Sequence, residues 1–126
     1  DMIGYYDSNL VQNYPIGIKW IYPSHGNFIA ALSNIQSREV SAAYCNAMQR
    51  LNQLQCERVV APTFVKGMDF SDHLNYWKYD IPAILITDTG SYRSALRHTT
   101  SDTLKTVNFE KMAHVVNGFV IQLLSP

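Results

Sequence analysis

The sequence predicts an α/β domain built on a mixed, largely parallel sheet flanked by helices. Three observations carry this expectation. Helix-patterned and strand-patterned segments alternate along the chain, the order in which helices come to cover a parallel sheet. Ala83-Ile84-Leu85-Ile86 is an apolar run with no polar alternation, as in a strand buried on both faces. Two stretches, 38–55 and 109–123, repeat apolar residues at three- and four-residue steps, so each offers one apolar face to a neighbour. With 126 residues and 47% apolar content the chain suffices for one domain with a real core.

The elements follow in order. Asp1 to Tyr6 is apolar and aromatic, broken by Gly4, and is expected to be a strand end followed by a turn. Asp7 to Gly17, rich in Asn and broken by Pro and Gly, is expected to be a loop. Ile18, Trp20 and Tyr22 alternate, which predicts a strand over Ile18–Tyr22, and Pro23 to Asn27 forms a turn cluster. Phe28 to Leu32 is ambiguous by periodicity alone, as short apolar runs are. Ser37 is placed to cap a helix from Arg38 to about Gln55, with Val40, Tyr44, Ala47, Leu51 and Leu54 as its stripe. Cys45 and Cys56 would then lie ~16 Å apart along that helix, at ~1.5 Å per residue. A disulfide needs Cα atoms within ~7 Å, so two free, structural thiols are expected unless the helix ends early.

Val59-Val60-Ala61 predicts a short strand ended by Pro62, and Thr63 to Phe70 a loop. Ser71 or Asp72 is placed to cap a helix carrying Leu74 and Trp77 on one face. Ile81-Pro82 ends that helix, because proline disfavours helical geometry in the residue before it. After the apolar strand, Thr87 to Asp102 is a polar loop holding Asp88, Arg93, Arg97, His98 and Asp102. Loops beyond strand carboxyl ends are where ligands bind in open α/β sheets. Asn108 caps a last helix whose stripe is Phe109, Met112, Val116, Phe119, Val120 and Leu123.

Ten basic and ten acidic residues cancel, which leaves no electrostatic case for nucleic acid or an anionic membrane. No apolar run approaches the roughly 20 residues that span a bilayer. No signal-peptide pattern is read in this sequence, and from Asp1 a processed or truncated product is expected. Ser71, Asp72 and His73 do not form a hydrolase triad. Three consecutive residues at a helix start diverge, whereas a triad needs nucleophile, base and orienter in line. His25 and His114 lack a supporting pattern and are expected at surface or structural positions.

Ser71-Asp72-His73, then Trp77, Ile81-Pro82-Ala83 and His98-Thr99-Thr100-Ser101-Asp102-Thr103 recur in a recognisable order. Together with the opening Asp1-Met2-Ile3-Gly4 and with Gly26 to Ala30, they resemble the C-terminal half of the co-catalytic di-zinc aminopeptidases. That family also includes glutaminyl cyclases, glutamate carboxypeptidases and the transferrin receptor. The resemblance covers most of the chain and implies half of a three-layer α/β/α zinc-peptidase domain, with Phe28 to Leu32 as a strand or entry segment. It implies His98 and Asp1 as zinc ligands and Arg93 as a residue that holds a peptide carbonyl or carboxylate. Arg97 stands where the family more often has tyrosine. For Asp72 two readings stand: hydrogen bonding to groups around the zinc, or capping its helix while His73 satisfies a buried polar contact. Asp102 either orients the loop around His98 or caps the following turn.

A complete site of this kind takes two zinc ions, a bridging carboxylate and a glutamate base. The family's H-x-D and Glu-Glu patterns that supply these are not in this sequence. The resemblance therefore implies a zinc metallo-aminopeptidase as the parent protein, acting on peptide substrates, secreted or periplasmic. This piece alone would be inactive and would hold zinc weakly. An N-terminal segment or a second copy is expected to cover the open edge of its sheet. Two alternatives are a non-catalytic binding scaffold of the same fold and a glutaminyl-cyclase-like acyltransferase.

Overall fold

The computed structural model describes residues 1–125. The chain runs β1 (Asp7–Val11), β2 (His25–Gly26), β3 (Phe28–Ser33), α1 (Arg38–Leu51), β4 (Gln55–Val60), α2 (His73–Trp77), β5 (Leu85–Thr87) and α3 (Phe109–Leu124). This is an α/β chain, as its alternating pattern predicts.

The sheet is ordered β4-β3-β5, with β3 in the centre. β3 and β4 are parallel from Phe28↔Gln55 to Ser33↔Val60, and α1 is the crossover between them. β5 runs antiparallel to β3, pairing Leu32 with Leu85 and Ala30 with Thr87. The sheet is thus mixed, with one parallel and one antiparallel pair. The reason lies in the connection. α2 has five residues and advances only about 7.5 Å. It does not return the chain along the sheet as α1 does, so β5 starts near the end where β4 stops. The expected apolar strand shifts to Leu85–Thr87, and all three residues are buried.

One face of the sheet packs on helices. Ile29, Ala31 and Ile86 join Tyr44, Met48 and Val115 in a single core. Burying such side chains is worth roughly 1.5–3 kcal/mol each. Tyr44 is fully buried, donates its hydroxyl to Val115 O at 3.1 Å and tilts against Phe119. Gly118 lets the two helices meet there, since a Cβ at this position would strike Met48.

Several local expectations are corrected. α1 stops at Leu51 because Asn52 takes the left-handed conformation (φ 50°) and its N–H bonds back to Met48 O and Gln49 O. β4 therefore begins at Gln55, earlier than Val59. The early turn brings the Cys45 and Cys56 Cα atoms to 5.3 Å, and the two form a disulfide instead of free thiols. Ser37 sits before α1 without a side-chain cap bond. Its hydroxyl instead accepts from Ala83 N at 3.1 Å, tying the helix start to the segment before β5. The expected strand at Ile18–Tyr22 is a 3-10 turn over Ile18–Trp20. Ile18 N donates to Pro15 O and Ile21 N to Ile18 O, so its backbone is satisfied locally. The expected loop from Asp7 contains β1, antiparallel to β2. Residues 1–6 form no ladder strand, although Asp88 N donates to Met2 O at 2.6 Å and Asp1 N to Ile86 O at 3.1 Å. They lie along the free side of β5 as an irregular strap. Asn108 caps α3 as expected, accepting from Lys111 N at 3.0 Å.

Candidate functional site

The loop beyond β5 is held by a buried carboxylate. Asp88 is 1% exposed and accepts from Tyr5 N at 2.9 Å and Gly90 N at 3.0 Å. Desolvation pushes its pKa above the ordinary carboxylate value, and those amides and Arg93 pull the other way. These bonds fasten the strap 1–6 to the start of the loop.

Arg93 is also interior. Its guanidinium lies over the rings of Phe28 and Tyr6, and Nη1 donates to Tyr5 O at 3.1 Å. Burial lowers its pKa, with Asp88 opposing. The residue expected to hold substrate thus braces the strap from inside. A Cβ on Gly26 would press on its side chain, which explains glycine at that position. Arg97, four residues on, reaches a cavity.

That cavity, about 380 Å³, lies on the sheet face opposite α1 and α3. Its floor is Phe28, Ala30 and Leu32 of β3, with Val59 of β4 and Leu85 of β5 beside them. Alternate strand residues point to one face, so the same strands give Ile29 and Ala31 to the helical core and these to the cavity. Tyr14, Tyr22, Val65, Met68 and Phe70 wall it from two loops. Asp1, Glu57, Thr89 and Arg97 supply polar groups. Asp1 also lines a second cavity on the other side of β5, with Asp72, His73, Ile84 and Phe119.

Three of the five non-glycine residues with positive φ among the described residues belong to this region: Met2 (φ 53°), Thr89 (φ 77°) and His98 (φ 62°). Such backbone costs on the order of 1–3 kcal/mol per residue and concentrates at functional sites. His98 is exposed. Its loop is closed by Thr99, whose Oγ1 donates to Leu96 O at 2.6 Å and accepts from Ser101 N at 3.2 Å. Among the described residues the Asp102 side chain makes no hydrogen bond, and the turn after it has no side-chain cap, so neither expected role of Asp102 is seen.

Neither Ser71 nor Asp72 caps α2 through its side chain. Asp72 is exposed and faces the second cavity. His73 follows the buried-contact expectation: Nε2 donates to Met68 O at 2.7 Å, and the ring stands edge-on to Trp77. Desolvation lowers its pKa, chiefly against the Met68 bond.

Zinc sites ordinarily draw three or four protein ligands. Among the described residues no three His, Cys, Asp or Glu side chains are grouped to hold a metal. Asp1 and His98 are an incomplete donor set. Sequence reading missed Tyr14, Tyr22 and Met68 as cavity walls, since nothing local marks a loop residue that folds over a sheet face. The continuous apolar run of β3 was the one available signal.

The chain matches no family model and no solved structure. It is similar to uncharacterized protein YfbL of Escherichia coli strain K12, 48% identical over 130 residues. The match covers 98% of this chain and 39% of the relative, so the chain spans about two fifths of the length of the curated relative it matches.

Proposed function

We propose that this chain is the C-terminal part of a zinc metallo-aminopeptidase that removes N-terminal residues from peptides. The observation that carries the reading is convergence around β5. Asp1, from the start of the sequence, borders two cavities, one with Asp72 and the other with Arg97, the neighbour of His98. These are the residues in and beside the motifs that resemble the family. The strained backbone at Met2, Thr89 and His98 supports a functional rather than a purely structural role for this end of the molecule.

In this reading Asp1 and His98 are two zinc ligands, and Asp72 bonds to groups near the metal. The other ligands and the general base come from residues outside this chain, so no step through the metal follows from these residues alone. A longer parent is supported by the relative, whose length well exceeds the match. Added chain, or a second copy, would also cover the apolar side chains of α3. The Cys45–Cys56 disulfide supports a secreted or periplasmic location, because disulfides persist in oxidising compartments.

The test is hydrolysis of a panel of aminoacyl-nitroanilides by the parent-length protein, with and without a zinc chelator. Chelator-sensitive turnover, abolished by His98→Ala, is expected. No turnover on any member would defeat the peptidase reading and favour a binding scaffold.

A further inference from the structure

We infer that the cavity on the loop-covered face of the sheet binds a carboxylate through Arg97, its apolar walls holding the stem that carries the acid. Arg97 is half-buried and lines a cavity walled by tyrosines, Met68 and Phe70. Its one hydrogen bond is long and neutral: Nη1 donates to Ser91 Oγ at 3.4 Å. Among the described residues the only ion pair joins Arg38 and Glu39, so no carboxylate of this region neutralises Arg97. A guanidinium is weakly hydrated, and its planar fork matches a carboxylate through two parallel bonds. Set against aromatic and aliphatic walls, it favours an acid with an apolar stem over a free inorganic anion.

The contrast with Arg93 sharpens the assignment. Both arginines come from the same loop, but Arg93 is buried against Phe28 and Tyr6 with Nη1 on Tyr5 O and Nε and Nη2 without a partner, and it does not line the cavity. Arg97 lines the cavity, and its one bond, to Ser91, is exposed. Two acids also line that space. Glu57 projects from β4, its Oε1 taken by Gln55 Nε2 at 2.6 Å, and Asp1 belongs to the strap beside β5. Lys66 adds a second positive charge to the lining, and the two acids repel a ligand carboxylate from their own part of it. Identifying the acid as part of a peptide rests on the aminopeptidase reading; its recognition by Arg97 does not.

Matched acid and amide probes test the inference, using calorimetry in the presence of a zinc chelator so that metal ligation does not contribute. The pairs are 3-phenylpropionate with 3-phenylpropanamide, Leu-Phe with its C-terminal amide, and Glu-Phe-amide with Gln-Phe-amide. At least one acid is expected to bind roughly ten- to hundredfold tighter than its amide. Arg97→Gln should erase that difference and Arg97→Lys keep part of it, both with unchanged circular dichroism. Preference in the second pair identifies a terminal carboxylate and in the third an acidic side chain. Preference in the first alone keeps the site and removes the peptide. Equal binding of acid and amide in all three pairs overturns the inference whatever the variants do, as does a preference that persists in Arg97→Gln. Because binding is read without turnover, an inactive protein that prefers acids would fail as a peptidase and still bear out this site.

Discussion

α1 and α3 carry the same kind of sequence signal and meet different fates. In α1 the middle of the expected stripe is covered, Tyr44 and Ala47 being fully buried with Met48 beside them, while Val40 and Leu51 are half-buried. In α3 the buried residues are Val115 and Gly118. Of the stripe expected there, Val120 is 46% and Leu123 83% exposed. The contact line on α3 has rotated toward Gly118, where the close approach to Met48 and Tyr44 is possible. The difference teaches that an apolar stripe records a surface needing cover, not that the same chain provides it. α1 crosses between two strands of its own sheet and is covered on arrival. α3 packs on α1 along one line only and leaves the rest open.

The comparison can be broken at its joint. Tyr44→Ala should cost about 3–5 kcal/mol, measured by urea unfolding, since it empties a fully buried aromatic site and removes the bond to Val115 O. Replacing Cys45 and Cys56 together with alanine should cost about 2–3 kcal/mol by the same measurement, because the crosslink closes a short loop between α1 and β4. Gly118→Val should cost about 1–3 kcal/mol by overpacking against Met48. Leu123→Lys should change the stability of this chain by no more than about 0.5 kcal/mol. The same change in the parent-length protein should cost several times more if added chain covers α3. Equal, small effects in both would leave that face open.

The smallest effect concerns pH. Burial holds the His73 pKa below its ordinary 6.5, so the folded state disfavours the charged imidazole. Stability from this group is present above pH 6.5 and falls as pH drops toward the lowered folded value. Asp88 works with the opposite sign. Its raised pKa favours the protonated carboxyl, and that contribution is lost as pH rises from 3.8 through the folded value. His73→Gln, which can still donate to Met68 O, should flatten the slope just below pH 6.5 in a series of urea titrations.

The chain's own residues announced the α/β class, α1, the capping of α3 by Asn108 and the burial of Leu85 and Ile86. Each depends on local periodicity or on one short side chain beside its own helix. What was not legible depended on partners far away in sequence. The direction of β5 followed from the shortness of α2, and the disulfide from Asn52 turning left-handed, a conformation open to few residues other than glycine. At the candidate site, motif resemblance pointed to Asp1, Asp72, Arg93 and His98. Arg93 is buried against Tyr5 O and two rings, and Arg97, not Arg93, lines the cavity. Ser37 and Asp72 sat at helix starts without capping them, since a cap requires the side chain to turn back onto its own helix. Ser37 found a partner in Ala83 instead.

The proposed metal centre takes Asp1 and His98 as ligands and is completed by residues outside this chain. Zinc content of the parent-length protein after equilibrium dialysis tests it most directly, compared with Asp1→Ala and His98→Ala. Two bound zinc ions, with tightly held metal lost in either variant while the fold survives, is the predicted result. Zinc content unchanged by both substitutions, or no zinc bound by the parent at all, would contradict it.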